Sequence, residues 1–167
     1  WSLYHIVLKS TPFLLMIPFI WIFVSLLIPF FNIDAAIYNF PMLVLATLLT
    51  LASMCIGMLF SIAIPSQLKA TELLMVISTP AFILSGFTWP TLAFPDAIAN
   101  IAQYIPSTQF LSGFRKIAFY GGDLSSIKPE INTLLLITVV TFVSMIVLLQ
   151  FKIFLFGRKP KKLLSKT

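Results

Sequence analysis

The side chains that could carry catalysis are few and lie far apart in this sequence. The chain of 167 residues holds one histidine, one cysteine and five acidic residues. The imidazole of His5 falls beside a predicted membrane surface. A Ser-His dyad inside an apolar segment would therefore have no base. No group of these residues has metal-ligand spacing, and the phosphate-binding pattern G-x-x-x-x-G-K-[ST] does not occur. The sequence therefore predicts no enzyme, no metal and no cofactor.

The sequence also lacks the residues that ion-coupled transport needs. Proton relays and ion sites use ionisable side chains in the middle of membrane spans. The long apolar stretches of this chain contain none. If the chain moves a substrate, a partner must therefore supply the energy.

The composition indicates a membrane protein. Hydrophobic residues make up 59% of the chain and charged residues 10%, with a mean hydropathy of +1.04. Soluble domains contain about 25% charged residues. A soluble domain and a disordered chain are both excluded, because neither could keep so much apolar surface in water.

Uncharged runs of about 20 residues match the thickness of the hydrocarbon core. They predict an all-α membrane protein with a single transmembrane domain over residues 1–167. Its four transmembrane helices are predicted at residues 11–31, 40–64, 72–89 and 131–153. Residues 1–10 are expected to form a cytosolic interfacial segment, residues 95–120 an extracytoplasmic pair of interfacial or re-entrant helices, and residues 154–167 a basic cytosolic tail.

The positions of the basic residues predict the orientation. The net charge is +6, and most basic residues fall on the side of the termini: Lys9, Lys69, Lys152, Arg158, Lys159, Lys161, Lys162 and Lys166. Arg115, Lys116 and Lys128 fall on the other side. By the positive-inside rule both termini are cytosolic. The basic tail directly follows an apolar run, which favours contact with membrane lipids over nucleic acid.

The outer helical pair is predicted from proline and glycine punctuation. Pro106 ends the first short helix, and Ser107 or Thr108 is expected to cap the second. Gly121 and Gly122 then supply the stop.

Small residues within the spans allow two interpretations. Ser53, Gly57 and Ser61 lie on one face of the second span, and Ser85 with Gly86 lies near the end of the third. Small side chains let helices approach closely in lipid. These residues therefore form either a helix-packing seam or part of a translocation path.

The first residues also allow two interpretations. Apolar residues with His5 and Lys9 among them form a short amphipathic element. It is either a simple interfacial anchor or a docking element for a cytosolic protein.

A combination of short motifs resembles a known family. The strings ILSGFTWP at residues 83–90, YIPSTQFL at residues 104–111 and FRKIAFYGG at residues 114–122 follow one another at characteristic spacing. In content and order they are similar to the C-terminal part of ABC-2 type transporter permeases, the membrane subunits of bacterial ABC exporters. Members typically have six spans, so the resemblance implies that this chain holds the third to the sixth.

The resemblance implies partners and roles. It implies a separate ABC ATP-binding subunit, a second permease copy or a homologous permease, and in some members a periplasmic adaptor. It implies a dimer that performs efflux across the bacterial inner membrane. Tyr4, His5 and Lys9 would adjoin the coupling interface with the ATPase, and Pro106, Phe110 and Arg115 would belong to an outer gate. The alternative is a structural or assembly protein of the inner membrane that transports nothing.

Overall fold

The computed structural model describes residues 11, 14–23, 25–26, 30, 40–64, 66–89 and 93–156. These parts of the chain form helices joined by turns, with no β-strand among them. The helices are α1 (Leu14–Phe23), α2 (Phe40–Ala63), α3 (Gln67–Leu84), α4 (Asp96–Ala102), α5 (Pro106–Tyr120) and α6 (Lys128–Phe156). The predicted all-helical class is confirmed.

Two helices among the described residues are long and apolar enough to cross a membrane. They are α2, with 24 residues, and the Lys128–Lys152 part of α6, with 25 residues. At 1.5 Å per residue each is about 36 Å long, which exceeds the roughly 30 Å of a hydrocarbon core. The full set of four predicted spans stays a prediction, since α1 is a shorter apolar helix and α3 carries Lys69 and Glu72 near its start.

Helices α2 and α6 run parallel and form the core of the fold. At one end Leu45 packs in one apolar cluster with Leu134. In the middle Cys55 packs with Met145, and at the far end the Lys152 ammonium donates a hydrogen bond to the Ile62 carbonyl. From one end of the core to the other, the residue numbers of the α2 contacts and of the α6 contacts both increase. The two helices therefore run in the same direction.

Helix α1 contacts the flank of α2. The indole N–H of Trp21 donates a hydrogen bond of 3.0 Å to the hydroxyl of Thr47. The same hydroxyl donates at 2.6 Å to the Leu43 carbonyl one turn earlier. This pair gives the indole a polar partner on an otherwise apolar helix surface.

Helix α3 runs in the opposite direction to α2 and α6. It begins four residues after Ala63, at the end marked by Lys152 and Ile62. Its last carbonyl, that of Leu84, accepts a hydrogen bond of 3.2 Å from the Thr108 hydroxyl of α5. The helix stops at Leu84 because Gly86 follows in the left-handed region at φ 83°, which is a common way to end a helix.

The predicted cap at Ser107 or Thr108 is wrong. Helix α5 already begins at Pro106, and the preceding residue, Ile105, is extended and makes no side-chain cap. Proline suits this position because its fixed φ matches a helix and its missing N–H would have no partner there. The Thr108 side chain is therefore free of a capping role and bonds to α3 instead.

Helix α5 ends at the predicted glycine pair. Gly121 is left-handed at φ 61°, and the Gly122 N–H donates to the Lys116 carbonyl at 2.9 Å. The turn into α6 is then held by Asp123, whose carboxylate accepts hydrogen bonds from the Ser125 hydroxyl at 2.7 Å and the Ser126 N–H at 3.1 Å.

The left-handed conformation of Gly121 gives a first prediction. Gly121→Ala should lower the free energy of unfolding by about 1 kcal/mol, because a Cβ in this region meets the following carbonyl. Gly121→Asn should lose less, since asparagine tolerates the conformation. The measurement is the denaturation midpoint of the purified chain in detergent micelles.

Gly57→Ala is the matched control, because Gly57 is helical and a Cβ there would meet no atom within 4 Å. It should be neutral or slightly stabilising. A Gly121→Ala variant as stable as Gly57→Ala would contradict the prediction.

Candidate functional site: a polar pocket between α3, α4 and α5

A cavity of about 340 Å³ lies where α4 and α5 meet the end of α3. We call it the α4–α5 pocket. Its polar lining includes Ser85, Gln103, Thr108, Gln109, Arg115 and Lys116. None of the described residues lining it is acidic, so its side chains bring positive charge and hydrogen-bond donors together.

Two side chains of α5 attach the pocket to the end of α3. The buried Thr108 hydroxyl bonds to the Leu84 carbonyl, and one guanidinium nitrogen of Arg115 donates to the Gly86 carbonyl. Ser85, between these two carbonyls, is also buried, and its hydroxyl donates at 2.6 Å to the Phe82 carbonyl. The turn after α3 is therefore held against α5 by side chains rather than by backbone pairing.

An ion pair attaches the other side of α5 to the start of α6. The Lys116 ammonium lies 2.7 Å from Glu130 Oε1, and the Ser112 hydroxyl donates to the same oxygen at 2.8 Å. The Glu130 side chain is 6% exposed and that of Lys116 is 40% exposed. Glu130 Oε2 is buried and has no hydrogen-bond partner among the described residues.

Residues with separate predicted roles lie together in the structure. Ser85 and Gly86 from the small-residue set lie beside Arg115 from the gate set. Pro106 starts α5. Phe110 is directed away from the pocket: it packs against the core cluster, and its ring lies 6.2 Å from that of Phe114.

The small residues of α2 lie on a different surface. Ser53 and Ser61 are exposed, and the space around Gly57 is open among the described residues. The face that α2 buries against α6 is instead formed by larger residues such as Leu45 and Met58. The predicted coupling residues, Tyr4, His5 and Lys9, lie outside the described residues.

Three important residues were missed by the sequence analysis as site or packing residues. From the sequence, Lys116 was only a charge on one side of the membrane and Glu130 only one of five acidic residues, although opposite charges on both sides of a Gly-Gly turn are a pattern that suggests pairing. Gly113 carried no signal of its own. A Cβ there would lie 2.8 Å from a methyl carbon of Leu45, so α5 touches α2 at this glycine.

Comparison with known proteins decides the family. The sequence model of the ABC-2 type transporter family matches residues 3–119, which is more than half of the chain. The chain belongs to the ABC-2 type transporter family. The resemblance seen in the motifs is thus confirmed. Neither the curated proteins nor the solved structures compared with the chain gave a match.

Membership in the ABC-2 family establishes the broad role. The chain is a membrane-embedded permease component of an ABC transporter, and permeases of this family are not themselves catalytic. They normally work with an ATP-binding subunit. The family match spans α1 to α5 and ends one residue before the end of α5, so the residues that line the α4–α5 pocket, except Tyr120, lie within the matched segment.

The Thr108 hydrogen bond in this ABC-2 permease gives a second prediction. Thr108→Val keeps the shape of the side chain and removes the donor to the Leu84 carbonyl. We expect a loss of about 1 kcal/mol in the free energy of unfolding, since the part-buried hydrogen bond to the Leu84 carbonyl is lost. Denaturant midpoints of the purified variants measure it.

Thr133→Val serves as the control for Thr108→Val. The Thr133 hydroxyl bonds at 2.9 Å to the Pro129 carbonyl one turn back and is exposed, so its loss should change stability by less than about 0.5 kcal/mol. Equal effects of the two substitutions would show that the Thr108 hydrogen bond adds no stability beyond that of an exposed hydroxyl.

Proposed function

We propose that this chain is the permease subunit of an ATP-driven exporter of the bacterial inner membrane, and that it forms part of the substrate path. The family match over residues 3–119 carries the proposal. The absence of a phosphate-binding motif from the sequence supports an ATPase on a separate subunit.

The proposed topology has four spans with both termini in the cytosol. The directions of the helices support it. Since α2 and α6 run parallel, the chain between them must cross the membrane again if both are spans. Of the helices between them, α3 has 18 residues and is about 27 Å long, whereas α4 and α5 have 7 and 15 residues. Helix α3 is therefore the proposed return span, and α4 with α5 lies at the extracytoplasmic surface.

The substrate path is proposed to lie between two permease copies. Ser53, Gly57 and Ser61 provide a surface of α2 that the described core does not use. A face of small residues allows either close packing of a second copy or room for a substrate. We place this face at the dimer interface or along the path.

The two ends of the permease have separate proposed roles. Tyr4, His5 and Lys9 contact the ATP-binding subunit at the cytosolic end. At the other end α4 and α5 close the exit. Pro106 starts α5, Phe110 packs α5 against the core, and Arg115 joins α5 to the end of α3. A change in α3 during the ATP cycle would then reach α5 through the Gly86 and Leu84 carbonyls.

Reconstitution with an ATP-binding subunit encoded in the same genome tests the function. The wild-type permease should co-purify with that subunit and stimulate its ATPase, and inverted vesicles should show ATP-dependent accumulation of substrate. Tyr4→Ala with Lys9→Gln should weaken the complex at least tenfold. Lys128→Gln, which removes a charge from the opposite end, should leave the complex unchanged.

The outcomes of this reconstitution separate the hypotheses. A complex without any ATP-dependent transport would favour a structural or assembly protein over an exporter. An unchanged complex in the Tyr4→Ala, Lys9→Gln variant would overturn the coupling assignment alone.

Labelling of single cysteines tests the topology. In a Cys55→Ala background, a membrane-impermeant maleimide added to intact spheroplasts should label Ser125→Cys. It should label Lys161→Cys only after lysis. The reverse pattern would invert the proposed orientation, and labelling of both cysteines before lysis would rule out an odd number of crossings between them.

A further inference from the structure

We infer that the α4–α5 pocket binds a phosphate group, the anion that phospholipid headgroups carry as a phosphodiester. The pocket volume of about 340 Å³ falls in the range of ligand pockets, about 300–1,000 Å³. The inference concerns a bound ligand and holds whether or not the permease is an exporter.

The charge balance of the pocket leaves one cation uncompensated. Lys116 is neutralised by Glu130. Arg115 makes no ion pair within the described part of the chain, and its described partner is the uncharged Gly86 carbonyl. A guanidinium has five N–H donors in a planar fork that fits two oxygens of a phosphate. Arg115 therefore keeps both its charge and most of its donors for a ligand.

Several neutral donors of the pocket are also unused. The Thr108, Ser85 and Ser112 hydroxyls donate to partners within the chain. By contrast, the Gln103 side chain takes part in no described hydrogen bond, and only one donor of Gln109 is used, at 2.6 Å to the Gln103 carbonyl. The free donors thus share the pocket with Arg115 and with no acidic side chain, an arrangement that selects an anion.

Aromatic side chains support a position of the pocket at the depth of lipid headgroups. Tyr120, a lining residue, is 83% exposed, and Tyr104, the next residue after the lining Gln103, is also exposed. Trp and Tyr favour this interfacial level of a bilayer. Lys116 joins the pocket to Glu130 in the first turn of the candidate span Lys128–Lys152, which places the pocket at the same end. Phosphodiester groups are the most abundant anions at this depth.

Native mass spectrometry of the full chain released from a neutral detergent tests the inference. Phosphatidylglycerol is the probe, and diacylglycerol, which has no phosphate, is the control lipid. We expect one saturable phosphatidylglycerol site and no diacylglycerol at that site. Arg115→Gln should weaken binding about tenfold, the effect of losing a charged hydrogen bond, and Arg115→Lys should fall in between because a point charge remains.

A second variant keeps the test informative if Arg115→Gln disturbs the contact with α3. Gln103→Glu removes no described side-chain contact and adds a negative charge at the pocket, so it should weaken binding about fivefold without changing the unfolding midpoint. Lys128→Gln removes a cation that lies at the same end of the protein but does not line the pocket, and it should bind within twofold of wild type.

Competition with inorganic phosphate distinguishes the two sources of the anion. If 10 mM phosphate displaces the lipid, the pocket accepts a free phosphate. If it does not, the acyl-linked headgroup is the ligand, and either result supports the inference. Wild-type binding in both Arg115→Gln and Gln103→Glu would overturn it, as would equal binding of diacylglycerol.

Discussion

Replacing Lys116 with methionine should lower the free energy of unfolding by about 3 kcal/mol. The substitution keeps the length of the side chain and removes the ammonium that lies 2.7 Å from Glu130. Glu130 would then remain as a buried carboxylate with only the Ser112 hydroxyl as a partner. Removing one partner of a buried ion pair typically costs about 3–5 kcal/mol. We expect the lower end, because Lys116 is 40% exposed and part of the pair is screened.

Titration of the purified permease with sodium dodecyl sulfate in mixed micelles measures this loss. The double variant Lys116→Met, Glu130→Gln should recover at least half of the stability, because a neutral amide is far less costly to bury than an unpaired charge. Lys128→Met is the control, since Lys128 is exposed and begins the same helix. If Lys116→Met proves as mild as Lys128→Met, the ion pair does not stabilise the junction of α5 with α6.

Gly113→Val should lower the free energy of unfolding by about 3 kcal/mol and displace α5 from α2. A Cβ at Gly113 would already lie 2.8 Å and 3.1 Å from the two methyl carbons of Leu45. Leu45 is fully buried, and its cluster also holds Ile117, Ile127 and Leu134, so it has no space to move into. Overpacking of a dense core costs about 1–3 kcal/mol, and a branched side chain in this contact should reach the upper end.

A size exchange tests whether the close contact is the cause. Leu45→Ala alone should cost about 3 kcal/mol by leaving a cavity. Combined with Gly113→Val, it should cost clearly less than the sum of the two single changes, because each variant relieves the defect of the other. Gly57→Val, placed where a Cβ meets no atom within 4 Å, controls for the valine itself. Strict additivity of Leu45→Ala and Gly113→Val would contradict direct contact.

These two contacts hold the same helix against different neighbours. Gly113 fixes how closely α5 approaches α2, and Lys116 fixes how α5 meets the start of α6. Thr108 and Arg115 then join α5 to α3. Helix α5 therefore contacts the three longer helices α2, α3 and α6. A shift of α5 would directly change the shape of the α4–α5 pocket.

Much of the helical architecture was predictable because a lipid bilayer allows few backbone structures. Backbone polar groups inside a bilayer must bond within the chain, so long apolar runs become helices. This reasoning located α2 and the last long helix and indicated the short helices around Pro106. The end of α3 was less predictable, because Gly86 stops the helix before the apolar run itself ends.

The site could be predicted only in part. Arg115, Ser85 and Gly86 were singled out, but for separate reasons, and nothing in their spacing indicated that they meet. Phe110 was assigned to the gate from its position in the motif, whereas its side chain packs toward the core. The role of a helical residue depends on which side of the helix meets a neighbour, and that choice is made by the whole bundle.

Membrane location, helical structure and membership of the ABC-2 permeases could all be predicted from the amino-acid sequence alone. Those properties follow from composition, from the length of apolar runs and from local motifs, all of which are readable without contacts. The folded chain was needed to show that α2 and α6 run parallel, that Lys116 pairs with Glu130, and that Gly113 lies against Leu45. Such contacts join residues distant in sequence, and packing geometry selects them.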